Sequence, residues 1–244
     1  MVSQREGDPL NNFELQLLDE MEEKHWWFYE RRNLLRNWAR ELNAKSRILD
    51  LGAGAGRQSQ LLQEEFEYIV TAVEQSNFGR EACLRKNVSV IQCDATKLLI
   101  NDESFDAVIA MDVLEHIEND IVAMKELFRV AKNGANIFIT VPAFQFLWSA
   151  HDVSVSHIRR YSKKEIQEKM LSAGFTLINV RYWNSILFLF AVILRALRKE
   201  GSDTKIPPAH INSLCKFIVR LESIIPLFGK LPGTSIVINA QKIL

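Results

Sequence analysis

Short apolar runs alternate with segments of helical periodicity along most of the chain. Arg47–Leu51, Tyr68–Val73, Val88–Gln92, Phe105–Met111 and Asn136–Val141 read as strands, the last closed by Pro142. Between them, Arg57 to Phe66 and Phe78 to Lys86 read as helices. Ile121, Met124, Leu127, Phe128 and Ala131 recur at helical spacing, with Gly134 placed as the C-terminal cap. Ser162 and Glu165 form a capping-box pattern that opens another helix, ending near Gly174. Thr176–Trp183 and Ser235–Gln241 are predicted as the sixth and seventh strands. Such alternation builds a sheet covered by helices on both faces. The expected fold class is therefore α/β, with a seven-stranded, mostly parallel sheet.

Two segments fall outside that alternation. The stretch 13–42 reads as one or two helices rich in charge and aromatic residues, including His25, Trp26, Trp27 and Phe28. A second, 184–234, separates strands six and seven and holds an apolar helical stretch, Pro207 and Pro208, and a further helix (Ile211 to Ile225). One domain is expected over 1–244: a helical segment 1–44, a core 45–183, a helical cap 184–234 and a final strand 235–244.

Composition narrows the partners. Thirty basic and thirty acidic residues give a formal net charge of zero, which argues against a general nucleic-acid binder. The three cysteines are widely spaced and form no CxxC pair, so neither a disulfide scaffold nor a thiolate zinc site is expected. The N-terminus lacks the apolar region of a signal peptide, and the longest apolar run, Ile186 to Leu194, is shorter than the roughly 20 residues that span a bilayer. A cytoplasmic protein is expected. The apolar stretch 184–197 suits the core, a membrane interface or a second copy of the chain, with core or dimer contact leading.

The richest chemistry sits at the first strand's end, where Ile48-Leu49-Asp50-Leu51-Gly52-Ala53-Gly54-Ala55-Gly56-Arg57 runs from strand through turn to helix. Small residues let a ligand approach the backbone, and the helix N-terminus offers unpaired N–H groups. The spacing is GxGxG, and Arg57 stands where a dinucleotide fingerprint wants its third glycine. Asp50 would face a cation and repel a pyrophosphate. Glu74, ending the second strand, can accept both hydroxyls of a ribose. The implied ligand carries a ribose and a positive group but no pyrophosphate, a description that S-adenosylmethionine fits.

With these residues the chain resembles the class I, Rossmann-like methyltransferases of small molecules that use S-adenosylmethionine and release S-adenosylhomocysteine. ILDLGAGAG is similar to their first motif, and AVE, ending at Glu74 beside Gln75, to their second. IQCDATKL resembles the segment whose acid, here Asp94, receives the adenine amino group, with Ala95 supplying an N–H. FDAVIAMDVLEHIEN resembles the fourth-strand motif, which implies that Met111 to Glu115 line the adenosyl site. The leader Glu23 to Arg32 resembles one that folds over the cofactor cleft in a subset of these proteins, so Arg31 or Arg32 would meet the methionyl carboxylate.

The acceptor end follows the fifth strand, where Trp148, His151, Asp152, His157, Arg159, Arg160 and Tyr161 crowd one loop. His151 is the first choice for general base, since histidine titrates near neutrality. Arg159 and Arg160 could bind a phosphate or carboxylate, with Trp148, His157 and Tyr161 as further contacts. His116 is expected to pack beside the cofactor. A metal site among His116, His151, Asp152 and His157 is rejected, because no pair has the i, i+4 spacing of a compact zinc motif. The expected reaction is methyl transfer to a small molecule, oxygen favoured over other atoms, with a sugar, a phenol or a lipid-linked intermediate as candidates. The rival is a non-catalytic nucleoside-binding or scaffold domain of the same fold.

Overall fold

A computed structural model of the chain describes residues 21–196 and 206–243. At its centre lies a seven-stranded sheet made of β1 (Arg47–Leu51), β2 (Ile69–Val73), β3 (Ser89–Ile91), β4 (Phe105–Met111), β5 (Ala131–Pro142), β6 (Thr176–Trp183) and β7 (Ser235–Gln241). The order across the sheet is β3-β2-β1-β4-β5-β7-β6. From β3 to β5 all neighbours are parallel, whereas β7 runs antiparallel to both β5 and β6. The strand order reverses between β1 and β4, and ligands bind outside the carboxyl ends of the strands at such a switch point. The described helices are α1 (Trp26–Ala39), α2 (Arg57–Phe66), α3 (Asn77–Arg85), α4 (Asp120–Val130), α5 (Ala150–Ser154), α6 (Lys163–Ser172), α7 (Ser185–Ala196) and α8 (Ala209–Ile224).

Two core layers explain why the central strands are apolar throughout. Leu49 and Leu51 of β1, with Val108 and Ile139, pack against Met124 and Leu127 of α4 and Ile166 of α6. Successive strand residues point to opposite faces, so Ile48, Ile109 and Phe138 meet Leu35 and Trp38 of α1 and Leu62 of α2 on the other side. Trp38 stacks on Phe138 at 5.2 Å.

The two segments outside the alternation pack on one another. The Trp26 N–H donates to the Asn212 side chain at 2.8 Å, Asn212 donates back to the Lys24 carbonyl, and Arg220 of α8 lies 3.3 Å from Glu30. Glu222, buried on α8, accepts from the N–H groups of Ser185 and Ile186 at 2.8 and 3.0 Å. Those N–H groups have no partner within α7 itself, so α8 supplies the cap of its neighbour. No helix among the described residues is long and apolar enough to cross a membrane. The expected helical stretch before residue 21 and residues 197–205 of the expected cap lie outside the described residues.

One boundary differs from expectation. The predicted helix through Ala131 stops at Val130, and Ala131 already pairs with Phe105 as the start of β5. Gly134 caps no helix; with φ 81° it lies inside β5 and donates its N–H to the Lys242 carbonyl at 2.7 Å. A long-range pairing with the chain's C-terminal end overrides the local cap signal.

Candidate active site at the carboxyl edge of the sheet

The glycine turn between β1 and α2 has positive φ at Gly52, Gly54 and Gly56. A Cβ at Gly52 would lie 2.3 Å from Cγ2 of Val113, so only glycine lets the turn close on the loop after β4. The turn is pinned to β2, where the Val73 carbonyl accepts from the N–H groups of Gly52 and Ala53 at 2.8 and 3.2 Å. Gly79 at the start of α3 has the same steric role, since its Cβ would meet the Glu74 side chain and the Gly54 carbonyl at 2.5 and 2.7 Å.

Three acids lie at or just beyond the carboxyl ends of three adjacent strands. Glu74 accepts from the Gly54 N–H at 2.9 Å through one oxygen, and from the Ser76 N–H and hydroxyl at 2.9 and 2.7 Å through the other. Asp94 turns back on Thr96, accepting from its N–H and hydroxyl at 2.7 Å, and these bonds hold its carboxyl below the usual range. Both carboxylates therefore retain accepting capacity. Asp50 differs. It is 2 % exposed, and burial pushes its carboxyl up to about 7, although the Ser59 hydroxyl donates to it at 2.6 Å and opposes the shift. A cationic ligand beside it would favour the ionised form.

Several other expected cofactor contacts have neighbours within the fold. Arg31 pairs with Asp112 at 2.8 Å and lies 4.9 Å from the centre of the Trp27 ring. It ties α1 to the loop after β4. Met111 is buried, and its carbonyl lies 3.5 Å from Arg31. Glu115, expected to line the adenosyl site, is fully buried and faces His157, with 3.6 Å between its oxygen and the imidazole Nε2. Gln75 and Ala95 flank Glu74 and Asp94 at the same edge, Gln75 exposed and Ala95 half-buried. A separate cavity of about 740 Å³ opens between α1, α2 and α8, lined by charged groups such as Glu23, Arg32 and Arg57, and contains none of the three acids.

The loop after β5 satisfies much of its own charge. Asp152 is buried and accepts from Arg160 through both oxygens, at 2.8 and 3.0 Å. It also takes the Nδ1–H of His157 at 2.8 Å and the Ser149 N–H at 2.8 Å, and these donors hold its carboxyl well below the usual range despite burial. Tyr161 is fully buried, its hydroxyl donating to Asp120 at 2.7 Å. Arg159 and Lys169 pair with the same Asp120 at 2.9 and 2.6 Å. Arg159, Arg160 and Tyr161 thus each hold a partner within the fold. Asp152 orients His157, and the ring of His151 lies 6.3 Å from that of His157. Trp148 is half-buried after a short 3₁₀ turn, Gln145–Leu147.

Asp112 after β4, Phe144 after β5 and Asn184 after β6 have φ of 55°, 60° and 63°. Non-glycine residues seldom adopt such angles, and Lys45, Glu67, Asn87 and Glu103, ahead of β1 to β4, do so as well. Phe144 further joins Tyr182 and Phe188 in an aromatic cluster, with centroid separations of 5.3 and 5.5 Å. Sequence periodicity carries no signal for these angles.

Comparison with known proteins agrees with this geometry. Residues 49–139 match the family model of a methyltransferase domain. The ubiquinone/menaquinone biosynthesis C-methyltransferase UbiE of Coxiella burnetii is 32% identical over 108 residues, which cover 40% of this chain and 43% of the relative. The chain thus spans less than half the length of that relative. A methyltransferase structure from Archaeoglobus fulgidus, described as SAM dependent, superposes with a TM-score of 0.62 at 16% identity, covering 93% of this chain and 99% of the other. The [4+2]-cyclase SpnF superposes with a TM-score of 0.60 at 18% identity, covering 89% of this chain and 84% of the other. The fold is that of the class I methyltransferases, as the motifs implied. The cyclase shows that this fold also carries other chemistry.

Proposed function

We propose that the protein transfers a methyl group from S-adenosylmethionine to a small-molecule acceptor. The observation that carries this reading is the row of Asp50, Glu74 and Asp94 around a positive-φ glycine turn whose Gly54 N–H is itself bound to Glu74. Glu74 would take the ribose hydroxyls, Asp94 the adenine amino group, and Asp50 the positive end of the ligand. Acceptor lone-pair electrons would form the bond to the methyl carbon while the carbon–sulfur bond breaks, leaving S-adenosylhomocysteine. Alignment and exclusion of water supply most of the acceleration in such a displacement.

The acceptor would enter over the loops after β4 and β5. The family match ends at residue 139, before that loop, so likeness in the core leaves the acceptor atom open. We favour an oxygen acceptor, with half-buried His151 taking its proton. Leu189, Phe190 and Phe217 on the cap are each more than half exposed, which suits a lipid-linked acceptor or contact with a membrane surface. Calorimetric titration tests the core of the proposal. S-adenosylmethionine and S-adenosylhomocysteine should bind and NAD should not; the reverse pattern overturns it. Binding without turnover on any acceptor would favour the scaffold reading.

A further inference from the structure

Glu115 and His116 follow β4, and His157 arrives from the loop after β5, yet the three offer ligand atoms that all lie within 4.8 Å of one another. We propose that they form a binding site for one divalent first-row transition-metal ion, of the two-imidazole, one-carboxylate type that suits zinc or ferrous iron. Sequence spacing argued against a metal because no two ligands stand one helical turn apart. The fold removes that objection by bringing His157 across to the other loop.

Glu115 is the first support. It is fully buried, and neither carboxylate oxygen receives a hydrogen bond from any other described residue. A buried carboxylate without such partners is costly, and a bound cation would compensate it. The nearby guanidinium groups already serve other acids, Arg31 with Asp112 and Arg160 with Asp152.

The imidazoles give a second, independent support. His116 Nδ1 lies 3.2 Å from the Ser156 carbonyl, which can only accept, so this nitrogen carries the proton. His157 Nδ1 lies 2.8 Å from Asp152, a carboxylate held ionised by Arg160, and likewise donates. In the neutral rings both Nε2 atoms then carry lone pairs. Metal-binding histidines are oriented in this way, with the outer N–H given to a carboxylate or a backbone carbonyl. The Glu115 and His157 atoms, 3.6 Å apart, already approach the ~3.4 Å edge of a tetrahedron with bonds of ~2.1 Å. His116, within 4.8 Å of both, is exposed and has room to adjust.

On the methyl-transfer reading, an open position on this ion would bind the acceptor oxygen and lower its pKa. The ion itself does not depend on that reading, so the test omits cofactor and acceptor. Metal-free, untagged protein is titrated with Zn²⁺ by calorimetry and with Co²⁺ by visible absorbance. One ion per chain should bind, with a tetrahedral Co²⁺ spectrum and a raised melting temperature. Glu115→Gln, which keeps the volume of the side chain, and His116→Ala should each weaken binding by about 100-fold, whereas His210→Ala, on the exposed start of α8, should leave it unchanged. Circular dichroism identifies any variant that fails to fold. Wild-type protein that binds neither ion, or a folded Glu115→Gln protein that binds both as wild type does, overturns the site. Either result leaves the S-adenosylmethionine titration to stand or fall separately.

Discussion

Around the glycine turn, Glu74 and Asp94 accept only backbone N–H groups and hydroxyls among their described hydrogen bonds, while in the loop after β5 Asp152 and Asp120 are matched by arginine and lysine. Neutral donors leave a carboxylate charged and able to take another partner. Full ion pairs use the charge to hold the chain. Both regions looked equally rich in functional groups, but they spend them differently: one keeps its acids ready for a ligand, the other ties its loop down. A cluster of reactive residue types therefore marks a site only where the groups are not already satisfied by each other.

The largest effect should come from Arg160→Met, which leaves Asp152 buried beside His157 and Ser149 alone. Breaking a buried pair costs about 3–5 kcal/mol, so thermal melting should fall by about 10 °C. Affinity for S-adenosylmethionine in the folded fraction should hardly move. A variant of unchanged stability with weakened acceptor binding would break the contrast between the two regions.

Next is Glu74→Ala on the cofactor side. Removing an acceptor for two ribose hydroxyls, each bond to a charged group worth about 1.5–3 kcal/mol, should weaken S-adenosylmethionine binding by at least 100-fold, measured by calorimetry. Stability should change less than in Arg160→Met.

Asp50 gives the contrast a pH dependence. Its carboxyl is raised to about 7 by burial, so the folded, ligand-free protein keeps this proton to a higher pH than the unfolded chain, which releases it near the usual ~3.9. Unfolding therefore releases a proton between those values, and this group's contribution makes stability fall as pH rises toward 7. Affinity for a cationic ligand should rise over the last part of that window and level off above it. Asp50→Asn should flatten both profiles, stabilise the ligand-free protein at pH 8 by about 2 kcal/mol, and weaken cofactor binding about tenfold. A Kd independent of pH from 6 to 8 in wild type would remove Asp50 from cofactor binding.

Smallest is Arg159→Ala. Asp120 would keep Lys169 and the Tyr161 hydroxyl, so the loss should be about 1 kcal/mol, close to that of a partly exposed pair. Urea denaturation measures it, and a loss as large as that of Arg160→Met would show that Asp120 is the more important anchor.

The amino-acid sequence by itself determined the alternating elements, the glycine turn and the acids at the ends of β1 and β2, because periodicity, turn chemistry and strand ends are local properties. It also placed Ser162 correctly as a cap, its side chain accepting from the Glu165 N–H at 3.1 Å. Only the tertiary structure decided which charged groups remain available. Arg31 was given to Asp112 and Glu115 was turned toward His157 by contacts between segments far apart along the chain, while Arg160 and His157 were given to Asp152 within one loop. Gly134 was taken into β5 by the C-terminal end for the same reason. An ion pair or ligand set needs two side chains within a few ångströms, and the packing of α4, α5 and α6 on the sheet sets those distances, which residue spacing along the chain does not encode.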